Sequence, residues 1–215
     1  MSEQNQKTKE EWLQELSAIS SATAHEALGR IGAVDYEIKP ICKGMKVCGP
    51  ALTVKCHTGD NIMLHQALAI AKPGEVIIAH TGSCKQFGMW GEVMSVMAVA
   101  RGVNAFVTDG GVRDTREIAE LGLPVFSRSI CINGTVKATV TDDINVPIEF
   151  GGVIVHPGDI ILGDDDGIVV IPVDRLEEAV TLSKQREAKE AIIMQLLREG
   201  KSTVELLGLK EKLGM

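Results

Sequence analysis

Three charged residues stand where this sequence could do chemistry: Glu92, within Gly-Glu-Val-Met, and the adjacent pair Arg113 and Asp114, which follow Gly110-Gly111-Val112. Arg113 offers a planar fork of donors suited to a carboxylate or an enolate. Asp114 is a hard oxygen ligand for Mg²⁺ or Mn²⁺, ions that need few protein carboxylates and keep several waters, one of which Glu92 could hold. If a helix begins at Glu92, the amide hydrogens of Glu92, Val93 and Met94 lack partners within it and form an anion site. Gly91 then lets a ligand approach without a Cβ in the way. Together these parts would bind a small 2-oxo acid by its carboxylate and keto oxygen against a divalent cation. An Arg-Asp pair after two glycines is also the composition of a solvated turn, and the residues alone leave both readings open.

The elements around these residues decide whether they meet. "EVMSVMAVAR" is apolar nearly all round, the pattern of a fully buried helix, and Gly102 supplies its stop. At ~1.5 Å per residue that helix carries the chain roughly 15 Å from Glu92. "VNAFVTD" reads as a strand that covers roughly 20 Å at ~3.3 Å per residue. If the turn at Gly102 reverses the chain, Gly110, Gly111, Arg113 and Asp114 return to the helix's starting end.

The rest of the chain reads as alternating helices and strands, then a β-rich segment. Two helical pieces lie between about Lys9 and Gly29, and β-like runs follow to Cys56. "DNIMLHQALAIA" is a helix with Asp60 as N-cap, "EVIIAH" a buried strand, "EIAELG" a helix and "VFSRS" a strand. Thr135 to Pro172 is all β, "KATVT" included, and Asp164-Asp165-Asp166 is a hairpin turn, because a calcium loop needs wider ligand spacing. Asp174 and Glu177 form a capping box for a helix to about Glu199, and "STVELLGL" is a short closing helix. The architecture is a layered α/β sandwich whose β-rich part curls into a barrel-like sheet. No linker or repeat divides it, so residues 1–215 form a single α/β domain: N-terminal helices over 1–35, an α/β core over 36–173 and a C-terminal helical extension over 174–215.

Composition narrows the partners. The formal net charge of −7 and the lack of a basic run argue against nucleic acid. No apolar run is long enough to span a bilayer, and "MSEQNQKTKEEW" lacks the apolar core of a secretory signal. Five cysteines without C-x-x-C spacing read as free thiols of a cytoplasmic protein. The five histidines show no H-x-x-x-H pair and most read as ordinary surface or core residues, although His25 and Glu26 lie in a segment that could approach a neighbour's site; "AHTGSCKQFG" is a candidate pocket wall without P-loop spacing.

"WGEVM", "VTDGGVRD", "GLPVFSR" and "GGVIVHPGDIILGDDDGIVVIP" resemble the family of 4-hydroxy-4-methyl-2-oxoglutarate/4-carboxy-4-hydroxy-2-oxoadipate aldolases, which also holds the regulator of ribonuclease activity A. The similarity runs from about Thr23 to Leu209. Its most specific element is an acid, twenty intervening residues, then Arg-Asp, matched here by Glu92 and Arg113-Asp114. The resemblance implies an α/β/β/α sandwich with a barrel-like core, related to swivelling domains. It implies pyruvate binding by Gly91, Glu92, Val93, Met94 and Arg113, and a Mg²⁺ or Mn²⁺ ion on Asp114 with Glu92 acting through water. The reaction implied is class II aldol cleavage of a 4-hydroxy-2-oxo acid to pyruvate, with oxaloacetate decarboxylation as a side activity. A homotrimer, or a homohexamer of two such rings, is implied as well. Two positions depart from the pattern: Glu92 stands in place of Asp, and Met94 in place of Leu. The alternative within the family is a binding protein without catalysis.

Overall fold

The structure, a computed structural model, describes residues 7–215. Two helices open it, α1 (Lys9–Ser17) and α2 (Ser21–Ala27), followed by strands β1 (Lys39–Pro40) and β2 (Val47–Lys55). Next come α3 (Ile62–Ile70), β3 (Val76–His80), β4 (Gly88–Trp90), α4 (Glu92–Ala100), β5 (Ala105–Thr108) and β6 (Gly111–Val112). Then follow α5 (Thr115–Leu121), β7 (Val125–Ser127), β8 (Ser129–Ile130), β9 (Ile148–Phe150) and β10 (Val153–Val155). Strands β11 (Ile160–Asp164) and β12 (Gly167–Ile171) and helices α6 (Leu176–Arg198) and α7 (Thr203–Leu206) complete it.

The main sheet has the order β1-β7-β5-β3-β2-β11-β12, with β7, β5, β3 and β2 parallel and both flanks antiparallel. It is nearly closed: Lys39 on one edge donates to the carbonyl of Asp166 beside the other. Period-two alternation sorts its residues into layers. Leu52, Val54, Ile77, Ala79 and Phe106 face α3, α4 and α5. Ala51, Val76, Ile78, Val107 and Ile161 point into the barrel, against Phe150 and Val155 of the β9–β10 hairpin. Ile160, Leu162, Val169 and Ile171 face outward, under α1, α2 and the first turns of α6. The layered sandwich with a barrel-like core is therefore present, with a C-terminal helix.

A second, three-stranded parallel sheet, β4-β6-β8, positions the site. Strands β5 and β7 each leave the main sheet and continue, after two residues and one, into β6 and β8 of the small sheet. Asp109 and Arg128 hold these two crossovers together: the Arg128 amide donates to the Gly110 carbonyl (3.0 Å), and its guanidinium donates to the Asp109 carbonyl (3.2 Å). Arg128 is also paired with Asp35 and Glu37.

Several local expectations are corrected. The N-cap position of α3 is Asn61 rather than Asp60. The Asp60 carboxylate accepts instead from the amides of Ile62, Ala138 and Thr139, tying a distant loop to the helix start. "KATVT" enters no ladder: the 135–146 segment makes only isolated β-bridges, at Val136 and Ile144, and is otherwise held by single hydrogen bonds such as those to Asp60. The Asp174–Glu177 capping box does not form, because a 3₁₀ turn over Val173–Arg175 precedes α6. Finally, α4 is not buried all round: Met94, Ser95 and Ala98 face inward, whereas Val93 (81% exposed), Val96, Met97 and Val99 face outward. Apolar residues on both faces of a helix therefore do not by themselves establish that both faces are buried within the chain. The Asp164-Asp165-Asp166 turn is a hairpin turn between β11 and β12, with Asp164 accepting from Ser21 and Asp165 from the Gly44 amide.

Candidate active site

The site is built where β4 ends and α4 begins. Trp90, the last residue of β4, is 1% exposed and stacks on Phe106 at 3.9 Å between ring centroids. Its indole N–H donates to Ser95 Oγ (2.7 Å), which donates in turn to the Gly91 carbonyl (3.0 Å), so the first turn of α4 is fastened to the core. Beside it, β6 runs parallel to β4, and the Arg113 amide donates to the Trp90 carbonyl at 2.9 Å. That ladder delivers Arg113 and Asp114 to the start of α4. The chain does return, by a crossover into a separate sheet.

Asp114 has left-handed backbone geometry (φ 56°, ψ 40°) and occupies the N-cap of α5 without capping it. Its Oδ2 instead accepts from the Glu92 amide at the start of α4 (3.0 Å). Left-handed geometry is uncommon outside glycine, and such residues concentrate at functional sites. The Arg113 Nε lies 3.6 Å from the same oxygen, with both side chains more than a third exposed. An exposed pair of that kind contributes only about 0–1 kcal/mol, so stability does not account for the arrangement. Gly91 completes it: a Cβ there would lie 2.4 Å from Asp114 Oδ2 and 3.2 Å from Arg113 Nε.

These residues border one cavity of about 230 Å³, lined by Gly91, Val93, Met94, Arg113 and Asp114, with Met89 and Trp90 as apolar wall. Along α4 the first intrahelical bond runs from the Ser95 amide to the Gly91 carbonyl (3.1 Å). The Val93 and Met94 amides therefore keep the free donors of a helix start, whereas the Glu92 amide is taken by Asp114. The Glu92 side chain is exposed and stands outside the cavity lining. Among the described residues no cluster of three or more His, Cys, Asp or Glu could enclose a metal. A cation here would depend on Asp114 and on waters, a donor set that suits Mg²⁺ or Mn²⁺ and not zinc.

Sequence reasoning missed Asn61, His65, Gly134, Thr135 and Lys137, which line the same cavity. Asn61 and His65 are four residues apart, so they share one face of α3, a signal readable in the sequence. The loop 134–139 could not be found that way, because long-range hydrogen bonds bring it in: the Asp60 carboxylate takes the Ala138 and Thr139 amides, and Val136 exchanges backbone bonds with Gly59 and Asn61. Burial, and to a lesser degree Lys137, holds the His65 pKa below its usual value, so the ring stays neutral near pH 7.

The loop "AHTGSCKQFG" lies outside this lining as far as Phe87. Its polar residues serve Asp109, which is wholly buried and accepts from His80 Nδ1 (2.7 Å), from the amide and hydroxyl of Thr81 and from those of Ser83. His80 is thus no ordinary surface histidine. Its hydrogen bond to Asp109 raises its pKa against the opposing effect of burial, with smaller effects from Lys55 and Glu149. Burial alone would raise Asp109, but the bonds from His80 and Thr81 outweigh it and hold the carboxyl below its usual value. The stabilisation from protonated His80 is complete below the unfolded histidine pKa of about 6.5 and fades as pH rises through the elevated folded value. The melting-temperature gap between the parent and His80→Asn is therefore expected to be widest in mild acid and to narrow toward alkaline pH. A gap independent of pH between 5 and 9 would contradict this.

All five cysteines are free thiols, and burial pushes those of Cys48 and Cys56 up to about 12, which leaves them inert. No helix of the described residues is long and apolar enough to cross a membrane.

Comparison with known proteins gives a consistent result. The family model described as "RraA-like: Aldolase/RraA" matches residues 19–170. A protein of Halalkalibacterium halodurans described as "Putative 4-hydroxy-4-methyl-2-oxoglutarate aldolase" is 35% identical over 181 residues, covering 84% of this chain and 85% of its own. Among solved structures, Streptomyces coelicolor RraAS2, described as an unusual member of the RNase ES inhibitor RraA protein family, superposes with a TM-score of 0.75 at 28% identity. The match covers 86% of this chain and 97% of that one. An uncharacterized protein of Pseudomonas syringae superposes with a TM-score of 0.76 at 25% identity, over 90% and 94% of the two chains.

Proposed function

This chain belongs to the RraA-like (Aldolase/RraA) family, and from that premise we propose that it is a divalent-metal-dependent pyruvate aldolase. Its substrate would be a 4-hydroxy-2-oxo acid such as 4-hydroxy-4-methyl-2-oxoglutarate or 4-carboxy-4-hydroxy-2-oxoadipate. The observation that carries the reading is the meeting of Arg113 and Asp114 with the start of α4 around one small cavity. A turn can hold an aspartate in left-handed geometry, but it does not require the close approach of that carboxylate to Gly91 at the start of another helix.

In this reading the Val93 and Met94 amides, at the positive end of α4, take the pyruvyl carboxylate. Arg113 directs its guanidinium at the keto oxygen, where negative charge grows as the C4 hydroxyl gives its proton to a water of the site, C4–O becomes a carbonyl and the C3–C4 bonding pair forms the enolate. That proton is the one C3 regains. Asp114 would hold the Mg²⁺ or Mn²⁺ ion and Glu92 one of its waters. When bound, the ion supplies a Lewis acid for the keto oxygen and lowers the pKa of coordinated water. Met89, Trp90 and Met94 keep bulk water from the enolate until C3 is protonated and pyruvate leaves. Oxaloacetate decarboxylation passes through the same enolate and is expected as a side activity.

A panel of 4-hydroxy-2-oxo acids, and oxaloacetate, assayed for pyruvate with Mg²⁺, Mn²⁺ or EDTA tests this. Metal-dependent release from at least one is expected. No release from any, with either ion, would leave the non-catalytic reading suggested by the likeness to an RNase inhibitor family member. The outward apolar face of α4 supports association of copies into a trimer or hexamer.

A further inference from the structure

We propose that Asn61 and His65 take the C4 hydroxyl of the substrate and so select 4-hydroxy-2-oxo acids over 2-oxo acids without that group; the inference rests on the aldolase reading above. Asn61 is 6% exposed, and its Nδ2 donates to the Met89 carbonyl (3.1 Å) and to Met94 Sδ (3.5 Å). Turning the amide over would set Oδ1 against that carbonyl, so the orientation is fixed by its neighbours. Oδ1 is left buried with no hydrogen-bond partner. One turn along α3, where the His65 amide donates to the Asn61 carbonyl, His65 Nε2 is buried and unpartnered too.

Folded proteins pair nearly all such atoms, so an unpaired one calls for an explanation. Among the described residues only one other buried side-chain atom lacks a partner, Ser183 Oγ on α6. The remaining two belong to residues that line the cavity holding Arg113 and Asp114. That coincidence points to a ligand.

The chemistry of the atoms identifies the group. An amide oxygen only accepts. At neutral pH the carboxylates and keto oxygen of a 4-hydroxy-2-oxo acid are also acceptors, and its hydroxyl is its sole donor. The hydroxyl is thus the one substrate group that satisfies Asn61 Oδ1. It accepts as well as donates, and a neutral His65 in its Nε2–H tautomer is the complementary donor. Pyruvate itself, lacking the hydroxyl, makes neither contact.

The test compares two reactions in one protein with Mg²⁺: cleavage of 4-hydroxy-4-methyl-2-oxoglutarate, and exchange of the pyruvate methyl protons in deuterated water. Only the first substrate carries the hydroxyl. In Asn61→Leu and in His65→Leu the ratio of cleavage kcat/KM to exchange rate is expected to fall by at least about tenfold. His65→Gln, which keeps an N–H near the position of Nε2, is expected to recover part of the loss. Exchange also reports that each variant still assembles its site. If both rates fall together, or the ratio stays at the parent value, the assignment is overturned. A parent protein that performs neither reaction overturns the aldolase reading itself, and does so before any variant is made.

Discussion

Arg113→Ala is expected to lower kcat for pyruvate release by about 10²–10³-fold, the usual consequence of removing a donor that meets charge formed in the transition state. The guanidinium lies beside Asp114 at the start of α4, in the cavity that Lys137 also lines. Because the pair is exposed, little stability should go with it, and the melting temperature should stay within a degree or two of the parent. Arg113→Lys sharpens the result. It keeps the charge and loses the planar fork, so activity should remain well below that of the parent. Steady-state kinetics on the best substrate of the panel, beside a thermal melt, checks both parts. An alanine variant with parental kcat would remove Arg113 from the chemistry. A variant that simply unfolds would show instead that the pair supports the fold.

Gly91→Ala adds a single methyl group and is expected to do comparable damage by a different route. The backbone at Gly91 (φ −156°) is extended and open to any residue, so no conformational penalty applies. The cost is steric: the new Cβ would lie 2.4 Å from Asp114 Oδ2 and 3.2 Å from Arg113 Cγ and Nε. Either the Asp114 carboxylate gives up the Glu92 amide or α4 moves away from β6. Displacing a reacting group by about 1 Å costs on the order of 10²-fold in rate, and overpacking a tight contact costs about 1–3 kcal/mol. The variant should therefore lose about 100-fold in kcat/KM and melt measurably lower. If kcat/KM and the melting temperature both match the parent, the close approach of Gly91 and Asp114 is not part of the working site.

The two substitutions separate what was legible in the sequence from what was not. Side-chain chemistry was legible: a guanidinium, two carboxylates and a glycine-led apolar stretch name the ligand class they could serve. Local periodicity was legible too, since α4, α5, β5 and the long α6 follow from apolar spacing and from stops at Gly102 and Gly122. Both are short-range properties, carried by each residue and its next few neighbours.

What only the tertiary structure decided was which distant residues share a space. The crossover from β5 into the small sheet sets Arg113 beside Trp90, and nothing in "VTDGGVRD" says which sheet the last residues join. Asn61, His65 and Lys137 reach the cavity through a helix start and a loop held by the Asp60 carboxylate. His80 finds Asp109 across two parallel strands. Such contacts arise from the summed packing of the whole core, in which many weak apolar terms fix one arrangement. A polar side chain read in isolation therefore shows what it can bond to, and the fold determines whether that partner is within reach.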